Sequence, residues 1–208
     1  NIWNQLIMGY DLNNILNIEK LDINDFINDC GLFDTDGIEN IFKSIIKNHL
    51  GSDDLSMKEL FDLSKIKLVV KVFNATKRYM EYISYENYPD LSIITLARMT
   101  TAIPLFFKPV SYNDCMYVDG GIKGSLPIDY IKDNQNDYLG IFITGNEGSL
   151  DKFLKNDFFN IVPIVKIIFS IMLNDYNTEN EKILINDNNN IMKIPLVFGL
   201  NFDIDDHF

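Results

Sequence analysis

The amino-acid sequence predicts one α/β domain built around a largely parallel sheet. Three observations carry this reading. β-branched, strand-like runs alternate with segments of helical periodicity, no internal repeat or Pro/Ser-rich linker divides the chain, and 208 residues with 47% hydrophobic side chains can bury one sizeable core.

Taken in order, Ile2 to Met8 is a short apolar helical run stopped by Gly9, and Leu12 to Leu16 resumes helical spacing after Asp11, a good N-cap. Asp36 to Leu50 is predicted as a helix with Ile38, Ile41, Phe42, Ile45, Ile46 and His49 on one buried face, ended by Gly51. Ser56-Met57-Lys58-Glu59 has capping-box spacing and opens a helix through Leu63. The period then changes. Ile66 to Phe73 is a β-branched run closed by turn-prone Asn74, expected to be a strand covered on both sides, with Arg78 to Ser84 as a second strand.

Leu91 to Met99 is expected to be a helix that ends ahead of Pro104. Cys115 to Val118 reads as a short strand running into Asp119-Gly120-Gly121, Pro127 to Lys132 as a short helix, and Tyr138 to Thr144 as an apolar strand. Ser149 to Tyr176 is expected to be largely helical. Its apolar run Phe158 to Leu173 is broken by Pro163 and Lys166 and falls short of the ~20 residues that span a bilayer, so it reads as a core helix or as the lining of an acyl-chain pocket. Ile183 to Ile185 and Ile191 to Val197 flank a polar turn and form a candidate hairpin.

Charge narrows the function classes. The net charge of −12 repels a phosphate backbone, Arg78 and Arg98 are the sole arginines, and no Lys/Arg cluster with interleaved aromatics occurs, so no nucleic-acid partner is expected. Anionic membranes are disfavoured on the same ground, whereas neutral lipid is not. Cys30 and Cys115 lie far apart in sequence with no metal-ligand spacing, which fits a reducing, cytoplasmic compartment and neither a zinc site nor a disulfide framework. The first residue is Asn1, and no signal sequence follows it, so the start reads as an interior cut.

Catalytic constellations are scarce. No P-loop, HExxH, EF-hand loop or GxSxG occurs, and Gly120, Gly121 and Gly124 do not make a dinucleotide turn. His49 suits the last turn of a helix, and His207 lies in a tail whose Asp205 and Asp206 read as a solvated acidic terminus rather than a cation cage. What remains is Asp119, at the end of a buried strand and followed by two glycines that permit a sharp turn with positive φ. Such a carboxylate is held stiffly and can act as a general base, although Asp-Gly is equally a common turn.

The surroundings of this turn resemble the patatin-like phospholipase family. Ala97-Arg98-Met99-Thr100-Thr101-Ala102-Ile103-Pro104-Leu105-Phe106-Phe107-Lys108-Pro109-Val110 is similar to its A-x-R-A-S-x-A-I-P-x-x-F-x-P-V segment, and Tyr117-Val118-Asp119-Gly120-Gly121 through Pro127 to its Y-x-D-G-G/A-x-x-x-N-x-P block. Phe73-Asn74-Ala75-Thr76 resembles the stretch before the family's paired strands, and the agreement covers residues 66 to 145.

The resemblance implies a three-layer α/β/α fold and a lipid acyl hydrolase working on phospholipid or other glycerolipid esters at a lipid surface, with no cofactor and no metal. It implies that Asp119 is the general base of a Ser/Asp dyad that uses no histidine, with Gly120, Gly121, Thr100 and Thr101 in support. The family's nucleophile lies in a GxSxG elbow after a glycine-rich oxyanion loop; neither occurs here, and Ile2 to Gly9 resembles the remainder of the helix behind that elbow. The expectation is therefore that residues 1–208 are a single domain of this kind lacking its N-terminal segment, with the serine before Asn1. Ser125 stands where the family has Asn and reads as structural, as do Ser111 and Ser149 in turns or caps. Phe106, Phe107, Phe158, Phe159 and Tyr117 are expected mostly in the core, with a lipid cleft as the alternative. The rival reading is a catalytically inactive binding or structural module of the same fold.

Overall fold

A computed structural model describes residues 28–124, 127, 130, 139–144 and 191–195. The chain divides into two compact units, Asn1–Lys123 and Gly124–Phe208. The expectations for residues 2–16, 149–176 and 183–185, for Ser125, Ser149, Phe158, Phe159 and His207, and for most of 127–132 lie outside the described residues.

The first unit opens with strand β1 (Gly31–Phe33), which pairs in parallel with β4 (Leu105–Phe107). Gly31 is needed there because a Cβ would lie 2.4 Å from the backbone nitrogen of Lys108. Phe33 packs against Phe106 and Phe107, with ring centroids 5.2 and 6.3 Å away. Phe33, Phe107 and Tyr117 are buried core residues, and Phe106 is half-buried beside them.

Helix α1 (Asp36–Leu50) has the predicted bounds and is closed by Gly51 in the left-handed region at φ 69°. Of its apolar face Ile46 is buried and the other isoleucines are half-buried, whereas His49, expected on that buried face, is exposed. Helix α2 (Met57–Ser64) carries the expected capping box. The Ser56 hydroxyl accepts from the Glu59 N–H at 3.2 Å, and the Glu59 carboxylate accepts from the Ser56 N–H at 2.8 Å.

A four-stranded sheet positions the site. Its order is β3 (Tyr79–Ile83), β2 (Val70–Asn74), β6 (Cys115–Asp119), β5 (Val110–Tyr112), antiparallel throughout. The largely parallel sheet expected from the sequence therefore applies only in part, and the described strands form a mixed α/β fold. The reason lies in the connections. β2 and β3 are joined by a four-residue turn, and β5 and β6 by Asn113-Asp114, both at positive φ; links this short close hairpins and cannot make the crossover that parallel strands need. Residues 66–69, expected within the strand, form an irregular approach to β2, with Ile66 70% exposed rather than covered. Ser111 lies within β5 and not in a turn.

Helix α3 (Ile93–Thr101) begins two residues later than the sequence predicts, because Ser92 caps it by accepting the Thr95 N–H at 3.1 Å. Its Ile94, Leu96, Ala97 and Met99 are buried, and the helix packs over β2, β6 and β5, on the sheet face that carries Val72, Tyr117 and Val110. Arg98, on the same helix, donates to the buried Thr35 hydroxyl and to Glu39, both at 2.7 Å, and so ties α3 to the start of α1.

In the second unit β7 (Gly140–Thr144) and β8 (Ile191–Pro195) match the predicted runs and pair in parallel with each other. No helix among the described residues is long and apolar enough to cross a membrane.

Candidate active site

Asp119 is the last residue of β6, where strand pairing ends and the chain turns into a short 3₁₀ segment, Gly120–Lys123. Three bonds and contacts fix it. Its backbone N–H donates to the Ala102 carbonyl at 2.9 Å, which ties the aspartate to the residue that ends α3. Val72 of β2 lies opposite it in register. Its carboxylate Oδ1 accepts the Gly121 N–H at 2.7 Å.

That last bond closes an Asx-type turn and orients the carboxylate, leaving Oδ2 with no bond from a described residue. Burial raises the pKa of Asp119 above the ordinary aspartate value, because a desolvated charge is disfavoured; the Gly121 amide and the Lys71 ammonium pull in the opposite direction without cancelling it. The result is a half-buried, stiffly held carboxylate whose proton affinity exceeds that of a surface aspartate. This is the electrostatic character of a general base.

The glycines serve this geometry in a different way from the one the sequence suggested. Neither Gly120 nor Gly121 has positive φ; among the described glycines that conformation belongs to Gly51 and Gly124. Gly120 is required by close approach, since a Cβ there would sit 2.5 Å from the Lys71 carbonyl oxygen. A Cβ on Gly121 would sit 3.2 Å from Oδ1 of Asp119, so a side chain would press on the carboxylate that the residue orients.

Thr100 and Thr101 lie near the turn but do not bond the carboxylate. The Thr100 hydroxyl donates to the Lys71 carbonyl at 3.4 Å, and the Thr101 hydroxyl donates back to Ala97 at 2.8 Å, as helix threonines do when a carbonyl of the previous turn is nearer than any other acceptor. Sequence reading missed two partners, Ala102 and Lys71. Ala102 lies inside the matching motif, but its contribution is a carbonyl, to which side-chain identity is blind. Lys71 donates to the Lys123 carbonyl at 2.7 Å across a separation of 52 residues, which no local pattern announces.

Cys30 and Cys115 are both free thiols, Cys30 exposed and Cys115 buried. Among the described residues no group of His, Cys, Asp and Glu is arranged to hold a metal ion.

Comparison with known proteins identifies a family and a relative. A family model described as patatin-like phospholipase matches residues 4–132, a span that includes α3, β6 and Asp119. A curated protein of Invertebrate iridescent virus 6, described as probable lipid hydrolase 463L, is 34% identical over 126 residues, 59% of this chain. The match covers 42% of that protein, so the chain spans less than half the length of the curated relative.

Proposed function

The chain belongs to the patatin-like phospholipase family, and from that premise we propose that it carries the general base of a lipid acyl hydrolase, Asp119, acting on fatty-acyl esters of glycerolipids. The single observation that supports this most is the state of Asp119: one oxygen committed to the Gly121 amide, the other without a bond from a described residue, and a pKa raised by burial.

The chemistry that follows is nucleophilic acyl transfer. A serine hydroxyl placed within hydrogen-bond reach of Oδ2 gives up its proton to Asp119 as its oxygen bonds to the ester carbonyl carbon. The proton passes to the departing alcohol as the acyl-enzyme forms. Asp119 then takes a proton from water as the water oxygen attacks the acyl carbon, and hands it to the departing serine oxygen, which frees the fatty acid and restores both the hydroxyl and the carboxylate. The base needs no histidine to relay the proton, because a carboxylate with a raised pKa binds the proton more strongly than an ordinary one.

We place that serine in residues adjoining these 208, because no GxSxG occurs among them; the greater length of the viral relative is consistent with this. The 208-residue chain by itself is then expected to be inactive toward esters.

The test uses the longer polypeptide and a fatty-acyl ester with a chromogenic leaving group. Replacing Asp119 with Ala is expected to lower turnover by about a hundred- to ten-thousandfold, the range of a lost general base. Unchanged turnover would sink the assignment and favour a non-catalytic module of the same fold.

A further inference from the structure

The register that sets Val72 of β2 opposite Asp119 brings Lys71 alongside Gly120, one step further on. The two chains leave no room there for a second side chain. A Cβ on Gly120 would sit 2.5 Å from the Lys71 carbonyl oxygen and 2.9 Å from Lys71 Cγ, so the glycine admits the stem of the lysine as well as its backbone. Running past Gly120, the half-buried Lys71 side chain reaches the far end of the 3₁₀ segment and donates from Nζ to the Lys123 carbonyl at 2.7 Å. One residue thus holds the turn at both ends, its backbone against Gly120 and its ammonium on Lys123.

The backbone of Lys71 is itself anchored. Thr100, in the last turn of α3, donates its hydroxyl to the Lys71 carbonyl at 3.4 Å, while the Ala102 carbonyl just beyond that helix accepts the Asp119 N–H at 2.9 Å. The end of α3 therefore steadies both the lysine and the aspartate, and Thr100 supports Asp119 through Lys71 rather than by touching it.

Charge adds to the bond. The charged and titratable groups on the elements around Asp119 are Lys71 on β2, Arg98 on α3, Lys123 on the 3₁₀ segment, and Cys115 and Tyr117 on β6 itself. Arg98 is committed to Thr35 and Glu39, the Lys123 ammonium lies 5.3 Å from the Phe73 ring centre, the Tyr117 hydroxyl faces that of Tyr88, and Cys115 is at the opposite end of β6. Among the described residues the field at the Asp119 carboxyl comes from Lys71, and it favours the ionised form. A buried carboxylate with no cation in reach keeps its proton to a higher pH, and a protonated base accepts none.

We propose that Lys71 is a positioning residue for the general base: it closes the turn that orients the Asp119 carboxylate, and its ammonium keeps that carboxylate ionised and ready to accept a proton. The inference rests on the acyl-hydrolase reading for the use to which the carboxylate is put. The pairing of Lys71 with the turn stands apart from that reading, so the two can be tested separately.

Three substitutions separate bond from charge. Lys71→Gln keeps an N–H donor for the Lys123 carbonyl and loses the charge, Lys71→Met loses both, and Lys71→Arg keeps both. In the 208-residue chain the Asp119 carboxyl is titrated by carbon-13 NMR, its signal assigned by its loss in Asp119→Asn. The Gln and Met variants are expected to titrate at higher pH than wild type, and the Arg variant to return to the wild-type position. Lys67→Gln removes the same charge from the approach to β2, four residues earlier, and is expected to leave the Asp119 titration in place. In the longer polypeptide the acid limb of kcat/KM for a fatty-acyl ester is expected to move with the titration. The Gln variant then loses roughly three- to tenfold in rate on the acid side of the wild-type limb, and less above it.

An Asp119 titration that is the same in wild type and in Lys71→Gln overturns the proposal. So does an Arg variant that titrates with the Gln variant, or a Gln variant whose rate falls equally at every pH, the mark of a lysine that serves the fold alone. If Lys71→Met does not fold, the Gln and Arg variants decide. A titration that moves with Lys71 while the longer Asp119→Asn polypeptide keeps full esterase activity overturns the hydrolase reading and supports the pairing. Activity lost in Asp119→Asn with a titration indifferent to Lys71 overturns the pairing alone.

Discussion

At Asp119, burial and hydrogen bonding act against each other, and burial wins. Two consequences follow, with opposite signs for activity and stability. The base must be ionised to accept a proton, so the acidic limb of the rate profile is expected above the ordinary aspartate range, and a limb at or below that range would contradict the burial argument. For folding, a carboxyl whose pKa is raised in the native state contributes stability below its unfolded pKa and loses it as pH rises through the folded value. Asp119→Asn removes the buried charge and keeps an acceptor for the Gly121 N–H. It is therefore expected to raise the unfolding midpoint at neutral pH, the advantage shrinking as pH is lowered. Gly120→Ala is expected to destabilise by about 1–3 kcal/mol in urea titration, because its Cβ would meet a backbone carbonyl that cannot rotate away. A stability equal to wild type would show that the sheet can part there at no cost. Asp119 itself is legible in the sequence as a strand-end carboxylate, and its Gly-Gly partner is legible as a turn. The reason for the glycines is not, since close approach of Lys71 depends on strand pairing that no local pattern encodes.

The helices and the hairpins differ in how well local sequence specifies them. α1 and α2 were legible to within a residue because their caps, Gly51 and the Ser56/Glu59 box, are local chemistry. β1, β4 and β5 are three residues each and too short to show a period, and whether strands run parallel or antiparallel is decided by turns such as Asn113-Asp114. A buried polar network is a further feature of this kind. Glu81 of β3, 7% exposed, accepts from Asn74 at 2.8 Å and from the Tyr88 hydroxyl at 2.6 Å, and the Tyr117 hydroxyl lies 3.3 Å from that of Tyr88. Burial pushes the Glu81 pKa up, but the bonds from Tyr79, Tyr88 and Asn74 together outweigh it, and the net direction is down. Tyr79 is correspondingly pushed up to about 12 by its bond to Glu81. A lowered carboxyl pKa gives stability that is present above the unfolded value and lost as pH falls through the folded one. Glu81→Ala leaves buried donors unpaired and is expected to cost about 2–3 kcal/mol at neutral pH, with the difference from wild type closing under acid. A loss under half a kcal/mol, or one independent of pH, would show that the network adds nothing beyond packing.

For the whole molecule, the net charge of −12 disfavours attraction to anionic surfaces. The family match and the strand-end carboxylate meet at Asp119, which lies within the matched residues 4–132 at the end of β6. Their common claim is that Asp119 takes the proton from a serine. The most direct check is the initial rate of fatty-acyl ester hydrolysis by the longer polypeptide carrying Asp119→Asn, measured beside its unfolding midpoint. A rate lowered at least a hundredfold with a midpoint equal to or above wild type is the expected result for a general base. A wild-type rate in a folded Asn variant would remove Asp119 from the chemistry.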